Sequence, residues 1–578
     1  MNQARHLSAD VLVIGAGGAG MYAAIEAQRR GASVLLVDRS LIGRGGATVM
    51  AQMTVAAAVG GACPDHWEHH YADTLRAGRG LCEPELARIV CEQGIGCIEE
   101  MDGWGVGWAR RDGRYAQVMA PGHDRARCVY VDFLDTGPAV ARTLRTRLVR
   151  TPEIRRIGEL AVTDLVVRDG RCVGAVALHL PSGEPVTIAA HATIVATGGL
   201  TRLYRRNSGS ANMGGDGYAL ALRAGAELVD MEFVQFFPIG HLAPRLIGMD
   251  PIMWDPFRYK LGGRLLNADM QEFTERYGAP EDGRYVITRD LATYAITKEV
   301  EAGRGTPHGG AWLSFRHLSE ATLREAFGPV IDRLARNGID LTKTEVEVAP
   351  IAHYHMGGIA VDASMRTGVD ALFAAGEAVG GSNGANRLSG NAITEAFAFG
   401  RLAGESAARS VPGVRGASGA HAWSGDGPEL RWLASRGGRP AQNCATMIER
   451  LQSVMANGGG PFRTAAGLRG AIDALGTMQR ELGDTPPGGV PGFDAELLDW
   501  LDLRQMLAVA HSVATAALQR TESRGAHQRE DFPGLDDGWR VHLAQRSGPD
   551  GLRIRRRAVG AETSRDSEAN PPSPTPSP

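Results

Sequence analysis

Three glycines in a GxGxxG pattern are the first residues of this sequence whose types and spacing point to chemistry. Gly15, Gly17 and Gly20 directly follow an apolar run at residues 10–14. Glycines at this spacing let the backbone approach a pyrophosphate, whose charge is favoured by the free N–H groups of a helix N-terminus. Asp38 ends a second apolar run, and its carboxylate can accept hydrogen bonds from a ribose diol. The pattern predicts a dinucleotide site and does not by itself separate FAD from NAD.

Three further residues carry groups suited to an anionic substrate. Arg289 precedes Asp290, His353 opens the segment His-Tyr-His-Met-Gly-Gly, and Arg387 lies in Gly-Ala-Asn-Arg-Leu. An arginine can bind a carboxylate through two parallel hydrogen bonds, and a histidine can donate a further one. Each residue also suits a structural role, and the adjacent Arg289 and Asp290 suit a surface ion pair. Residue type alone therefore does not assign these positions.

The elements that must position these residues follow from hydrophobic periodicity. The glycines lie between an apolar run and a helical stretch at 21–30, and a second apolar run follows at 33–37, which predicts a βαβ unit. Residues 159–199 predict a β-meander with turns at Asp169-Gly170 and Ser182-Gly183. Residues 233–346 are richer in charged and aromatic residues and predict a separate domain with helices at 287–302 and 319–337. After residue 429 helical patterns dominate, including an apolar stripe from Leu503 to Ala517.

Many shorter segments occur in an order that resembles one protein family. They are Asp73-Thr-Leu-Arg-Ala-Gly78, Asp135-Thr-Gly137, Thr197-Gly-Gly199, Gly215-Asp-Gly217, Asp230-Met-Glu-Phe-Val-Gln235, Leu265-Leu-Asn267, Thr288-Arg-Asp290, His353-Tyr-His-Met-Gly-Gly358, Gly376-Glu377, Gly384-Ala-Asn-Arg-Leu388 and Glu522-Ser-Arg-Gly-Ala-His527. Over nearly its whole length the chain resembles the flavoprotein subunits of succinate dehydrogenase and fumarate reductase, with L-aspartate oxidase and adenylylsulfate reductase as relatives.

The resemblance implies an α/β fold class with several parts. A discontinuous FAD-binding domain of βαβ (GxGxxG) type, with the inserted β-meander, is expected at residues 1–232 and 347–410. An α+β capping domain is expected at 233–346 and a helical C-terminal domain at 429–560. Composition adds two further segments: a linker at 411–428, which is rich in Gly, Ser and Ala, and a disordered, proline-rich tail at 561–578.

The resemblance also implies a role for each candidate site residue. The FAD contacts would be the glycine loop, Asp38, Thr48, Asp216, Glu377 and the backbone of Ala392 and Ile393. Arg289 would donate or accept the proton that accompanies hydride transfer at flavin N5, and Asp290 could relay a replacement. His353 and Arg387 would bind the carboxylate of a small substrate.

Four departures from the family pattern refine these expectations. The segment 44–48 lacks the histidine that carries covalent FAD, so the sequence predicts non-covalent FAD. Phe237 stands where succinate and fumarate enzymes carry a histidine, Asp255-Pro256 where they carry Thr-Glu, and Asn383 where a histidine is common. A second buried carboxylate would therefore lack its usual donors. The sequence predicts a substrate with one carboxylate next to the reacting carbon and a less polar or larger group at the other end, packed against Phe237.

Two alternatives stay open beside carboxylate oxidoreduction. The first is an aspartate-oxidase-like amine oxidation, in which Asp255 would meet the amine. The second is a flavin-binding electron-transfer subunit without substrate chemistry of its own.

Composition narrows the range of partners. The formal net charge of −3 over 578 residues argues against nucleic acid as a partner. The seven cysteines have neither zinc nor iron–sulfur spacing, so no metal site is predicted, and an electron route would need an iron–sulfur or other electron-transfer subunit. The first nine residues lack a signal-peptide layout and no run of 18 apolar residues could span a bilayer. We therefore expect a cytoplasmic protein without a membrane span.

Overall fold

The structure is a computed structural model. It describes residues 5–132, 134–246, 249, 252–254, 261–278, 289–411, 423, 425–489, 492–548 and 551–561, with the side chains of residues 289 and 290 left out. Thr288, Asp255 and Pro256 lie outside the described residues. So do residues 412–422 and 424 of the predicted linker and residues 562–578 of the predicted tail.

The largest sheet among the described residues has seven strands and holds the glycine loop at the carboxyl end of one of them. Its order is Ile154–Ile157, Val34–Val37, Arg5–Ile14, Glu184–Val195, Arg171–His179 and Leu160–Arg168, with Leu372–Ala374 also paired to Glu184–Val195. Arg5–Ile14 runs parallel to both of its neighbours. The predicted βαβ unit and β-meander both form, and they share this sheet. Residues 11–14 and 34–37 of its central strands are apolar and buried, as expected for parallel strands that are covered on both faces.

Two helices that bear on the site cross closely beside this sheet. Gly18–Arg29 begins in the glycine loop, and Asn391–Ser410 packs against it. A Cβ on Gly404 would lie 2.3 Å from the carbonyl oxygen of Ala23, so only glycine permits this approach. The other helices of this part are Trp67–Ala77, Pro84–Gly103, Thr136–Val149 and Asp216–Arg223. Short strands at Val55–Ala56, Gln117–Val118 and Cys128–Val129 form a small separate sheet.

The capping part has its own sheet and its own core. Its strands are ordered Val234–Ala243, Val346–His355, Ala311–Ser314 and Arg264–Leu266, and its helices are Arg289–Glu301, Glu320–Phe327 and Val330–Arg336. Trp254, Phe315 and Phe327 anchor a buried cluster distinct from that of the large sheet. The helix predicted at 319–337 is two helices, because Gly328 adopts a positive φ and Pro329 lacks a backbone N–H. The α+β prediction is confirmed, while the predicted domain boundaries stay predictions.

The C-terminal part is helical, as predicted, and then ends in a hairpin that was not predicted. The helices are Pro428–Ala434, Cys444–Gly458, Ala465–Leu482 and Ala495–Gln519. The hairpin strands Val541–Gly548 and Gly551–Ala558 extend a sheet that contains Leu228–Val229 and Gly358–Ile359. This pairing joins residues 541–558 to the FAD-binding part. Among the described helices, none is long and apolar enough to cross a membrane.

Candidate functional site

A cavity of about 990 Å³ separates the large sheet from the capping part. Most predicted site residues line it. They are Gly15, Gly17, Asp38, Thr48, Asp216, Phe237, His353, Glu377, Arg387, Ala392 and Ile393. Segments far apart in the chain therefore converge on one space. Gly20 lies behind the loop instead of in the cavity wall, and Arg289 is treated separately below.

The glycine loop is a close-packed turn, as its spacing predicts. Gly15 has a φ of +102°, and a Cβ there would lie 2.4 Å from the carbonyl oxygen of Ala196. A Cβ on Gly20 would lie 1.8 Å from the carbonyl oxygen of Gly15. Gly15 and Gly20 therefore leave no room for a side chain. The loop backbone borders the cavity at the N-terminus of the helix Gly18–Arg29. This is an anion-binding arrangement.

Asp38 and Thr48 are held in place by hydrogen bonds to this loop. Asp38 Oδ2 accepts from the Ala16 N–H at 2.6 Å, and its Oδ1 accepts from the N–H and hydroxyl of Ser40, each at 2.7 Å. Thr48 Oγ1 accepts from the Gly18 N–H at 3.0 Å. The Asp38 carboxylate is thus oriented at the cavity edge, where a further lone pair can meet a ribose hydroxyl.

Asp216 offers an acceptor that the described residues leave unsatisfied. Its Oδ2 accepts from Arg39 Nη1 at 2.9 Å, and the same guanidinium binds Asp502 of the C-terminal helix Ala495–Gln519 at 2.6 Å. Asp216 Oδ1 and the hydroxyl of Thr197 are buried and find no hydrogen-bond partner among the described residues. Both residues line the cavity. Buried polar atoms without partners are costly, so the cavity suits a ligand with several polar groups, such as FAD.

Glu377 lies deeper in the same wall and is buried. Its Oε1 accepts from the backbone N–H of His355 at 3.0 Å, and burial raises the pKa of its carboxyl to about 8. The His355 ring lies behind the wall, with Nδ1 at 3.1 Å from the hydroxyl of Tyr218 and Nε2 at 3.1 Å from the Met231 carbonyl. His355 is therefore a neighbour of the site, and its ring does not line the cavity.

Ala392 and Ile393 belong to the first turn of the helix Asn391–Ser410, whose N-terminus faces the cavity. Free N–H groups in a first helical turn favour a partial negative charge nearby. The Asn391 side chain is held by His70 Nε2 at 2.8 Å and by Thr74 at 3.1 Å. This helix end can therefore stabilise negative charge on a bound ring system.

Three predicted substrate residues, Phe237, His353 and Arg387, line the same cavity. His353 and Phe237 pack edge to face with ring centroids 4.2 Å apart, and His353 Nδ1 lies 2.7 Å from Ser208 Oγ. Arg387 Nη2 donates to Gln235 Oε1 at 3.0 Å. Imidazole and guanidinium in one wall provide hydrogen-bond donors for a carboxylate.

The surroundings of Phe237 are apolar. Phe237, Met253 and Ile351 form a small buried cluster, and Phe237 and Met253 both line the cavity. No described residue of that cluster donates a side-chain hydrogen bond, because its three side chains are hydrocarbon or thioether. This part of the cavity wall therefore suits an apolar group.

Arg289 is the first residue of the helix Arg289–Glu301, which packs against the strands Val234–Ala243 and Val346–His355. Those strands carry Phe237 and His353. The Arg289 side chain is not described, so its contact with the cavity stays a prediction.

Several site residues were missed in the sequence. Arg39 forms an ion pair with Asp216. Tyr354 contacts Arg387 through its ring and Glu395 through its hydroxyl. His123 lines the cavity with Nε2 at 2.7 Å from the Ser389 carbonyl, and burial lowers its pKa. Adjacency was the available signal, because Arg39 follows Asp38, Tyr354 follows His353, and Glu395 lies on the same helix as Ile393.

Comparison with known proteins agrees with this geometry. Residues 10–393 match a family model described as FAD binding domain, and residues 448–573 match one described as fumarate reductase flavoprotein C-term. One chain of the fumarate reductase (CoM/CoB) of Methanothermobacter marburgensis is 35% identical over 538 residues, covering 92% of this chain and 96% of that protein. The fumarate reductase flavoprotein subunit of Escherichia coli K12 is 34% identical over 550 residues, covering 90% and 88%.

Comparison with solved structures also finds similarity to fumarate reductase. A quinol fumarate reductase flavoprotein of E. coli superposes with a TM-score of 0.87 at 32% identity, covering 97% of this chain and 98% of that one. Adenylylsulfate reductase of Archaeoglobus fulgidus shares the fold, with a TM-score of 0.74 at 18% identity over 96% of this chain and 97% of the other. The chain therefore binds FAD and belongs to the fumarate reductase and succinate dehydrogenase flavoprotein family of FAD-dependent oxidoreductases.

Proposed function

We propose that this protein interconverts a small carboxylate and its α,β-unsaturated counterpart, using non-covalently bound FAD. One observation carries the proposal: Phe237, His353 and Arg387 line the same cavity as the predicted FAD contacts, and Phe237 packs against His353 there. When bound, FAD supplies a two-electron centre that gives or takes a hydride at N5.

Arg387 and His353 bind the substrate carboxylate in this proposal. The guanidinium offers several N–H donors, and we assign His353 Nε2 to the carboxylate because Nδ1 is engaged by Ser208. Both donors draw electron density from the carbon next to the carboxylate, which stabilises negative charge developing there.

Arg289 donates or accepts the proton in this proposal. A carbon that has gained a hydride at its neighbour becomes basic enough to take a proton even from a guanidinium. The placement of the helix Arg289–Glu301 against the strands of Phe237 and His353 supports this assignment. The reverse reaction removes the same proton.

The relatives suggest that the protein works with a second chain. The proteins of M. marburgensis and E. coli are both named as subunits. We therefore propose that the electron partner is an iron–sulfur or other electron-transfer subunit.

The test is anaerobic. The protein is reduced chemically and mixed with crotonate, cinnamate, fumarate and other unsaturated acids, while flavin absorbance is followed; the oxidised protein is mixed with the saturated acids and with aspartate. Return of the oxidised spectrum with an unsaturated acid supports the proposal. Bleaching by aspartate alone would favour amine oxidation, and no response to any acid would favour a non-catalytic flavin subunit.

A further inference from the structure

Tyr354 lies between the arginine that we assign to the substrate carboxylate and a buried glutamate. The guanidinium carbon of Arg387 lies 4.4 Å from the centroid of the Tyr354 ring. The Tyr354 hydroxyl donates to Glu395 Oε1 at 2.7 Å. Tyr354 and Arg387 both line the cavity and are 3% and 6% exposed. The ring therefore provides a desolvated surface beneath the cation, where a cation–π contact is at its strongest.

Glu395 holds the tyrosine from behind. It is fully buried in the helix Asn391–Ser410, and its Oε2 accepts hydrogen bonds from the hydroxyl of Ser382, at 2.7 Å, and from the side-chain amide of Asn383. With the bond from Tyr354, both carboxylate oxygens are satisfied. The backbone of Tyr354 is fixed in the strand Val346–His355, and its hydroxyl is fixed by Glu395. The ring therefore has little freedom to rotate or shift.

Gln235 holds the edge of the same guanidinium. It lies opposite Tyr354 in the antiparallel pairing of Val234–Ala243 with Val346–His355. Its Oε1 accepts from Arg387 Nη2, and its amide donates to Asn386 Oδ1 at 2.8 Å and to the Arg387 carbonyl at 3.1 Å. Arg387 is thus supported on its face by an aromatic ring and on its edge by a carboxamide.

We propose that Tyr354 is a positioning residue for carboxylate binding: it holds the Arg387 guanidinium in its binding orientation, and Glu395 holds Tyr354 through its hydroxyl. The inference rests on the proposed function only in taking Arg387 as a carboxylate ligand. A side chain that is already ordered loses less conformational entropy when its ligand binds. Loosening the ring should therefore weaken carboxylate binding even when the ring itself is kept.

The test measures dissociation constants of crotonate and fumarate on the oxidised holoenzyme, from the change each causes in flavin absorbance. Tyr354→Phe keeps the ring and removes the hydroxyl, and we expect binding to weaken about threefold to tenfold. Tyr354→Leu removes the ring, and we expect roughly 10-fold to 30-fold weakening. Tyr22→Phe is the matched control, because Tyr22 is also buried and also donates to a glutamate, Glu100, but lies outside the cavity wall.

A double-mutant cycle separates positioning from general loosening. If Tyr354 acts through Arg387, Tyr354→Phe should change the dissociation constant by less than about twofold in an Arg387→Lys background. Equal binding by Tyr354→Phe and wild type, or the same loss in both backgrounds, would overturn the proposal. Wild-type protein that binds these acids without converting any unsaturated acid would contradict the proposed function, while the cycle would still report on Tyr354.

Discussion

Phe237 and His353 pack edge to face, 4.2 Å between ring centroids, across the two strands that lead into and out of the capping part. The proposed carboxylate ligand and an apolar side chain are therefore immediate neighbours in the cavity wall. A carboxylate bound at His353 would therefore lie beside the apolar side chain of Phe237, which clusters with Met253.

Phe237→His should shift preference towards dicarboxylates. The imidazole would give a second carboxylate the donor that Phe237 cannot supply, and a hydrogen bond to a charged group corresponds to about a 10-fold to 100-fold change. We expect the ratio of kcat/KM for fumarate over crotonate to rise by at least about tenfold. Phe236→His is the control, because Phe236 packs on Tyr204 instead of lining the cavity. An unchanged ratio in Phe237→His would mean that Phe237 does not set specificity.

Acid precipitation should release the flavin. This expectation rests on the absence of histidine from residues 44–48, of which 45–48 line the cavity. The protein is precipitated with trichloroacetic acid, and absorbance is read in the supernatant and in the washed pellet. FAD in the supernatant is the predicted result, and yellow colour retained by the pellet would show a covalent bond.

Glu377 should make apoprotein stability fall with rising pH. Burial raises the pKa of its carboxyl from about 4.5 to about 8, so between these values the folded state keeps a proton that the unfolded state has lost. This contribution is complete below about pH 4.5 and is lost as pH approaches about 8. In urea unfolding, the free energy of unfolding of wild type minus that of Glu377→Gln should decrease as pH rises across this window. A difference that rises with pH, or stays flat, would contradict the assignment.

The features that could be predicted from the sequence are those formed by contiguous segments. The glycine loop, Asp38, and the two residues proposed to bind a carboxylate, His353 and Arg387, each lie in short sequence patterns. Neighbouring residues determine the local geometry of such patterns. Sequence reasoning did not predict the support around Arg387, because Gln235, Tyr354 and Glu395 meet only after two strands pair and a helix packs behind them. A contact between side chains from three separate segments leaves no periodic pattern in any one of them.

The C-terminal hairpin was missed for a different reason. Its second strand, Gly551–Ala558, contains four arginines in eight residues, three of them consecutive, so it gives little apolar signal. What holds the hairpin in place is a buried pair between His542 and Asp230, 312 residues apart, together with an ion pair from Arg557 to Glu227 at 3.1 Å. A turn signal, Gly548-Pro-Asp-Gly551, was present in the sequence and was assigned to a helical region.

The most direct test of the proposed chemistry is the single-turnover reoxidation of reduced flavin by an unsaturated acid in Arg289→Gln. The control is Arg316→Gln, an exposed arginine of the capping part that pairs with Glu345. We predict normal FAD content and a rate at least about 100-fold below wild type for Arg289→Gln, since loss of a general acid costs about 10²-fold to 10⁴-fold, with no change for the control. A rate for Arg289→Gln within a few fold of wild type would contradict Arg289 as the proton donor.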